Sequence, residues 1–502
     1  MHGPRRHLLI DAALVGPALR ALREELSVAD DHPPEVLAEA ADAARRGPAL
    51  PPGAGDGWVD ATELPLVTVD PAGSRDLDQA LHLARRPGGY RVSYAIADVA
   101  AFVTPGGAID REAWRRGTTL YLPDGSARLH PATLSESAAS LLADGVVRPA
   151  LLWQLDLDAD GTLRATDVRR ALVRSRRQLS YPEAQAIIDR ALGGRSRVDG
   201  RAPLEDGVIE ASPGGLALLA EIGPARQRLE VARGGISLQL PEQDVVVEGG
   251  SYRLLYRRNL PVEGWNAQLS LLAGMAAADL MGAAGAGIVR VLPGAEPDAL
   301  EGLRRRAAAL GVAWPAEEPY PVFVRRLDPE HPAEAAVLHQ AAKTLRGAGY
   351  EVLDAADRTN GVPRHGALAA AYAHVTAPLR RLVDRYAGEV AVALCAGRRP
   401  PGWVIEALDG LPAAMAAAGQ RSSRVDGAVL DLFEALALQG RVGDRFDATV
   451  VDSNARQARV QLRDPAVVAA VGRPLPVGAR VTLRLVESDP AARTVCFDAV
   501  DR

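Results

Sequence analysis

The sequence predicts a mixed α+β fold: a large central unit between a short helical N-terminal segment and a small OB-like C-terminal β-barrel. Three observations carry this. The chain has 502 residues, too many for one ordinary hydrophobic core. Between residues 61 and 438 strand-like and helical stretches alternate without a break, the texture of one mixed α/β unit. From Gly440 the pattern changes to short alternating segments separated by turns. The expected divisions are therefore 1–60, 61–438 and 439–502.

In the first division, Ala18–Leu26 and Pro34–Arg46 carry helical spacing, and Pro33–Pro34 sets off the second. GPALPPGAGDG (Gly47–Gly57) reads as a linker. LPLVTVD, YRVSYAIADVAAFV, ALLWQLDLD, Asp167–Val173 and the stretch around SYRLLYRR are rich in β-branched and aromatic residues and read as strands. Helical spacing marks Tyr181–Leu192, Leu216–Ala232, Gly264–Met281, Pro297–Leu310, Pro332–Leu345, Pro378–Leu394 and Trp403–Leu438. GDRFDATVVD, ARVQLRD, ARVTLRLVESD and TVCFDAV supply the barrel strands, with Phe446 and Phe497 expected in its core.

The formal net charge is −5, which is not the overall basic signature of a nucleic-acid binder but leaves room for a basic channel. Lys343 is the only lysine, so any phosphate contact must come mainly from arginine forks, backbone N–H groups and hydroxyls. Two cysteines, Cys395 and Cys496, make neither a disulfide framework nor a zinc site and suit a reducing cytoplasm. Asp11 interrupts the apolar N-terminal run, which argues against a secretory signal. The most apolar later stretch, Ala267–Val289, contains Asp279 and reads as a buried helix rather than a membrane span. There is no P-loop, the nine-residue spacing of His365 and His374 fits no standard zinc site, and Ser135 and Ser137 lack a His/Asp partnership.

VTVDPAGSRDLDQAL (Val67–Leu81) is the most informative stretch. A strand is expected to end at Asp70, and a Pro/Gly/Ser loop follows. Asp76 and Asp78 are expected to open the next strand, where residues i and i+2 share one side. Three converging carboxylates repel one another, and a hard cation such as Mg²⁺ or Mn²⁺ relieves that repulsion. The same residues would also serve as an Asx-rich turn that caps strands, and taken alone they leave both readings open.

This segment resembles the signature of the ribonuclease II/R (RNB) family, and further blocks follow in that family's order. They are Tyr94–Gly125, Leu129–Leu151, RGGISLQLPE (Arg233–Glu242), Leu260–Ala277 and HGALAAAYAHVTAPLRRLVDRY (His365–Tyr386). The resemblance implies a magnesium-dependent enzyme that hydrolyses single-stranded RNA from its 3′ end to nucleoside monophosphates, cytoplasmic, monomeric and away from membranes. It implies that Asp70, Asp76 and Asp78 hold the metal, with Gln79 beside them. It makes Arg380 the clamp on the reacting phosphate and places His374, Thr376 and Arg381 along the RNA. Tyr121 and Tyr181 take the positions of aromatics that stack on bases; each read alone is rather a core tyrosine with a satisfied hydroxyl, and the surrounding blocks favour stacking for Tyr121. His374 is as well a core or surface histidine as a phosphate contact.

Departures from the family pattern matter as well. Gln79 stands where a fourth aspartate is usual, Gln420 where a later helix usually has an acidic residue, and Leu382 where a tyrosine is usual. The N-terminal segment is too short for the family's two cold-shock barrels. Two readings follow: an active nuclease with a retuned metal site, or an RNA-binding relative with little catalysis.

Overall fold

A computed structural model of the chain describes residues 9–500 apart from 30, 56, 194–204 and 239–241. Part of the RGGISLQLPE block therefore lies outside the described residues. At the centre stands a seven-stranded sheet. Its strands run in the order Ser175–Ser180, Leu66–Asp70, Gln79–Arg86, Gly89–Ala97, Arg148–Asp158, Leu163–Val173 and Val59–Asp60. The two outermost pairings are parallel and the inner ones antiparallel. Both faces are buried, because successive residues of these strands are apolar on both sides. One face (Val69, Leu81, Tyr94, Trp153) packs on helices Pro261–Ala284 and Leu382–Cys395 through Leu269, Leu272, Tyr386 and Val390. The other face (Leu66, Ala95, Ala97, Leu152) packs on helix Pro34–Arg46 through Val36, Ala40 and Ala43.

The N-terminal residues are thus part of the body of the protein rather than an appendage to it. Helix Ala12–Glu25 sends Val15, Leu19 and Leu22 into a cluster with Phe433 and Leu436 of the long helix Leu411–Leu438 and with the C-terminal barrel. Ile10–Asp11 adds a short strand to the hairpin Glu242–Glu248/Ser251–Arg257. Helix Pro261–Ala284 is long and apolar enough in composition to cross a membrane, but Leu269, Leu272, Ala273 and Ala277 are fully buried inside the fold.

The C-terminal strands Arg445–Ser453, Ala458–Leu462, Val468–Val471, Arg480–Asp489 and Thr494–Ala499 close into the expected barrel. Phe446 and Phe497 meet edge to face in its core, ring centres 5.7 Å apart. Of the expected elements, Ala18–Leu26 lies in a helix that starts at Ala12, Trp403–Leu438 divides into Gly402–Leu408 and Leu411–Leu438, and two further differences bear on the site. The strand after the aspartates begins at Gln79, so Asp76 and Asp78 lie in the preceding loop and not on a strand face. The helix expected from Pro378 begins at Leu382. Arg381 is extended at its N-cap (φ −132°), and the buried Asp384 carboxylate accepts the Ala377 N–H, which holds Pro378–Arg381 outside the helix.

Candidate active site

Two segments meet at the site: the loop joining Asp70 to Gln79, and the turn before helix Leu382–Cys395. The loop opens with a turn closed by Ser74 N–H donating to the Pro71 carbonyl. Gly73 sits third in it at φ +84°, where a side chain would be strained. Leu77 then anchors the loop. Its side chain is fully buried, its N–H donates to Ser140 Oγ at 2.9 Å, and its carbonyl accepts from Leu141 N–H. Ser140 Oγ donates in turn to the Arg75 carbonyl at 2.5 Å, and Gln178 Nε2 donates to the Ser74 carbonyl at 2.7 Å.

Asp78 is 4% exposed. Its Oδ1 accepts the Leu379 N–H at 2.7 Å, and its Oδ2 accepts from Arg380 Nε at 3.2 Å. Burial pushes this carboxyl up to about 8, against the pull of Arg380 and the Leu379 amide. Asp70, the last residue of its strand, lies opposite Ser180. Burial raises it to about 7; the Arg380 charge opposes that rise and the Asp76 charge adds to it. Its Oδ2 is buried with no hydrogen-bond partner. Asp76 is less enclosed, and its Oδ2 accepts from the Tyr121 hydroxyl at 2.5 Å.

The Asp76 charge thus acts on both Asp70 and Asp78. Among the described residues no group of three or more His, Cys, Asp or Glu side chains is gathered as a metal cage. Asp78 and Asp76 each accept from a protein donor, Asp78 from the Leu379 N–H and Arg380 and Asp76 from Tyr121. The donor set nonetheless suits a hard divalent ion. All its atoms are carboxylate oxygens, and one of them, Asp70 Oδ2, is buried without a partner.

Gln79 is differently engaged. Its Nε2 donates to the Thr376 carbonyl at 2.7 Å, while its Oε1 accepts from the Tyr94 hydroxyl and from Ser270 Oγ (3.3 Å). Both lone pairs of that oxygen are taken by protein donors, so it is not presented to an ion. Arg380 has the opposite character. Only its Nε is bonded, its side chain is 43% exposed, and its two terminal nitrogens have no partner among the described residues. Arg381 instead spends its fork on Asp384, with contacts of 2.9 and 2.8 Å.

Tyr121 is half exposed beside Asp76. Tyr181 is partly buried at the start of helix Tyr181–Leu192. Burial raises its hydroxyl, the Asp70 and Glu263 charges add to that, and a hydrogen bond with Asn266 opposes it. Thr376 is buried, offering its carbonyl to Gln79. His374 Nδ1 pairs with the Tyr350 hydroxyl at 2.7 Å and packs edge to face on Tyr372. Burial first, then Arg381 and Arg290, holds this imidazole well below its ordinary value, so it carries no charge for phosphate at neutral pH. Gln420 is exposed on helix Leu411–Leu438.

Sequence reasoning missed Tyr94 and Ser270, which close the Gln79 network, and Ser140, which ties the loop. No local pattern marks them, since they reach the site from separate elements. Asp384, three residues beyond Arg381, was findable as an i,i+3 partner at a helix start.

The pattern of the RNB domain matches residues 59–391, and that of the RNase II-type exonuclease C-terminal S1 domain matches residues 444–500. Ribonuclease R of Thermotoga maritima is 25% identical over 339 residues, which cover 65% of this chain and 45% of that protein. Among solved structures, Mycoplasma genitalium RNase R in complex with ribose methylated single-stranded RNA superposes with a TM-score of 0.82 at 18% identity. That superposition covers 98% of this chain and 78% of the other. Yeast Ssd1, a pseudonuclease, superposes with a TM-score of 0.63 at 14% identity over 88% of this chain and 54% of its own. With two thirds of its length matched by the RNB domain and the barrel by the S1 domain that accompanies it, the chain belongs to the RNB-domain family.

Proposed function

We propose that this chain is a hydrolytic 3′ to 5′ exoribonuclease that degrades single-stranded RNA to nucleoside 5′-monophosphates. The observation that supports this best is the pairing of buried Asp78 with Arg380, whose terminal nitrogens remain open. In this reading Asp70, Asp76 and Asp78 hold Mg²⁺ or Mn²⁺, which supplies Lewis-acid polarisation of the scissile phosphate and a water for attack. Arg380, oriented through its Nε by Asp78, offers its remaining fork to the phosphate oxygens. That contact strengthens as charge builds during in-line displacement. The bond between phosphorus and the 3′ oxygen breaks, leaving a 3′-hydroxyl on the shortened strand. Tyr121 and Tyr181 are the stacking surfaces, which suits an enzyme indifferent to base identity. We assign Arg381, Thr376 and His374 to shaping the turn that carries Arg380, because each is already committed to a protein partner. Gln79 has the same standing as a tie between the loop and that turn.

A second reading, an RNA-binding relative with little catalysis, is favoured by Gln79, which brings no negative charge to the metal position. One experiment separates the two. A 5′-labelled unstructured RNA of about thirty nucleotides, long enough to outspan a several-nucleotide binding groove, is incubated with Mg²⁺ or Mn²⁺. Wild-type protein and Asp78→Asn are compared. The nuclease reading expects a metal-dependent ladder shrinking from the 3′ end that the variant abolishes. Intact RNA with retained gel-shift binding in both proteins sinks it in favour of the second.

A further inference from the structure

The strand Ser175–Ser180 is the open edge of the central sheet, and its pairing with Leu66–Asp70 slips by one residue. Ser175 lies opposite Leu66 and Arg177 opposite Val67, so Arg176 is an extra residue in the ladder. A bulge of this kind re-aims side chains. Here Arg176, Arg177 and Gln178 are all exposed in succession, where a regular strand would turn alternate residues inward. Arg176 and Arg177 line a cavity of about 370 Å³ whose opposite wall includes Arg75, from the aspartate loop.

Positive charge in this cavity is only partly compensated. Neither the Arg75 nor the Arg177 side chain has a hydrogen-bond or ion-pair partner among the described residues. Arg176 donates to the Thr62 carbonyl and reaches only the exposed Glu63, at 3.6 Å. The one carboxylate on the wall, Asp144, is clamped by both terminal nitrogens of Arg148 at 2.6 and 2.7 Å, which holds it at about 2. A neighbouring cleft shares Arg176 and Arg177, but its other arginines are neutralised: Arg85 by Glu221, Arg86 by Asp156. Arg75 and Arg177, which have no ion pair among the described residues, and Arg176, whose one ion pair is the long contact to Glu63, line one polar cavity, and an oxyanion with several acceptor oxygens would relieve their mutual repulsion.

We propose that the Arg75–Arg176–Arg177 cavity is a phosphate-binding site, separate from the aspartate centre. It takes the phosphate group of a nucleoside monophosphate or of an RNA strand lying along the sheet edge. The inference rests on the arginines and the cavity and stands independently of the nuclease reading. Arg177 precedes Ser180, the neighbour of Asp70, by three residues, or roughly 10 Å along the strand. A phosphate bridging Arg75 and Arg177 would add a second link between loop and edge strand beside the Gln178–Ser74 bond. It would thereby stiffen the loop that carries Asp76 and Asp78.

The test is calorimetric titration at low ionic strength, in an Asp78→Asn background so that no RNA is consumed. Inorganic phosphate, uridine 5′-monophosphate and a short single-stranded RNA are compared against chloride at matched ionic strength. Arg176→Ala/Arg177→Ala is compared with its parent. Arg177→Ala alone serves as a second variant, since that exposed side chain makes no contact the fold could lose. The expected result is phosphate binding in the parent that includes a component weakened about 100-fold in the double variant, the loss of two charge-assisted contacts. Uridine monophosphate following phosphate through the variants assigns the site to free nucleotide. RNA weakened together with inorganic phosphate, and by more than uridine monophosphate, assigns it to the strand backbone. Equal phosphate affinity in parent and variants, or heats reproduced by chloride, overturns the proposal.

Discussion

Glu434 offers a stability test that is separate from catalysis. It lies on the long helix Leu411–Leu438, 6% exposed, where that helix meets both the barrel and the Glu242–Arg257 hairpin. Its Oε1 accepts from Gln243 Nε2 and from the Val468 N–H, each at 2.7 Å. Burial raises its carboxyl from 4.5 to about 7, the two hydrogen bonds opposing and Asp431 adding. An acid raised on folding binds its proton more tightly in the folded state. Its stabilising contribution is therefore complete below pH 4.5 and is lost as pH climbs through 7. Between pH 5 and pH 8 that loss comes to about 2.5 kcal/mol. Glu434→Gln keeps the accepting oxygen for both donors and cannot ionise. The difference in unfolding free energy between variant and wild type should therefore shift in the variant's favour by about 2 kcal/mol over that range. Urea unfolding of both proteins at pH 5, 6, 7 and 8, followed by tryptophan fluorescence, measures it. Parallel pH profiles would refute the argument, because they would mean that Glu434 is already ionised at pH 5 or stays protonated at pH 8.

Other perturbations have equally definite outcomes. Arg381→Ala leaves the fully buried Asp384 with only the Ala377 amide, so urea unfolding should report a loss of about 3–5 kcal/mol. Gln79→Glu sets a carboxylate against the Thr376 carbonyl in place of an N–H. It should destabilise the protein by about 1–3 kcal/mol and weaken rather than strengthen Mg²⁺-dependent cleavage; faster cleavage with unchanged stability would show that residue 79 is a failed metal ligand. Tyr121→Phe removes the bond to Asp76 but keeps the ring, and Tyr121→Ala removes both. RNA affinity by fluorescence anisotropy should be near wild type in the first and lower by about 1–3 kcal/mol in the second.

Much of the fold was open to reading because its elements announce themselves locally. Ser180 followed by Pro182 and Glu183 is a helix start, and the helix Tyr181–Leu192 is bounded as the pattern predicts, closed by a capping box. The barrel strands alternate because one side of each faces its core. What misled was tertiary. The strand expected at Asp76 cannot form there because Leu77 takes its hydrogen bonds from Ser140 and Leu141 across the loop. The helix expected at Pro378 is delayed by Asp384, whose carboxylate captures the Ala377 amide. The packing of helix Ala12–Glu25 into the body could not be read locally, because its partners, Phe433 and the barrel, lie about four hundred residues further along the chain.

The same tertiary ties explain how a site can keep its geometry with a neutral residue at position 79. Asp78 and Gln79 are consecutive, and each bonds the turn before helix Leu382–Cys395. Asp78 Oδ1 accepts the Leu379 N–H, and Gln79 Nε2 donates to the Thr376 carbonyl. These two bonds run in opposite senses, so the loop can neither slide nor rotate against the turn without breaking one of them. A carboxylate at 79 could supply the accepting role but not the donating one, and it would meet a carbonyl oxygen. Tyr94 and Ser270 complete the arrangement by filling the amide oxygen. The amide thus gives up charge at a fourth position and gains a fixed relation between Asp78 and Arg380. A preorganised carboxylate–guanidinium pair is what phosphoryl chemistry draws on most, because groups already in place cost no reorganisation as charge develops.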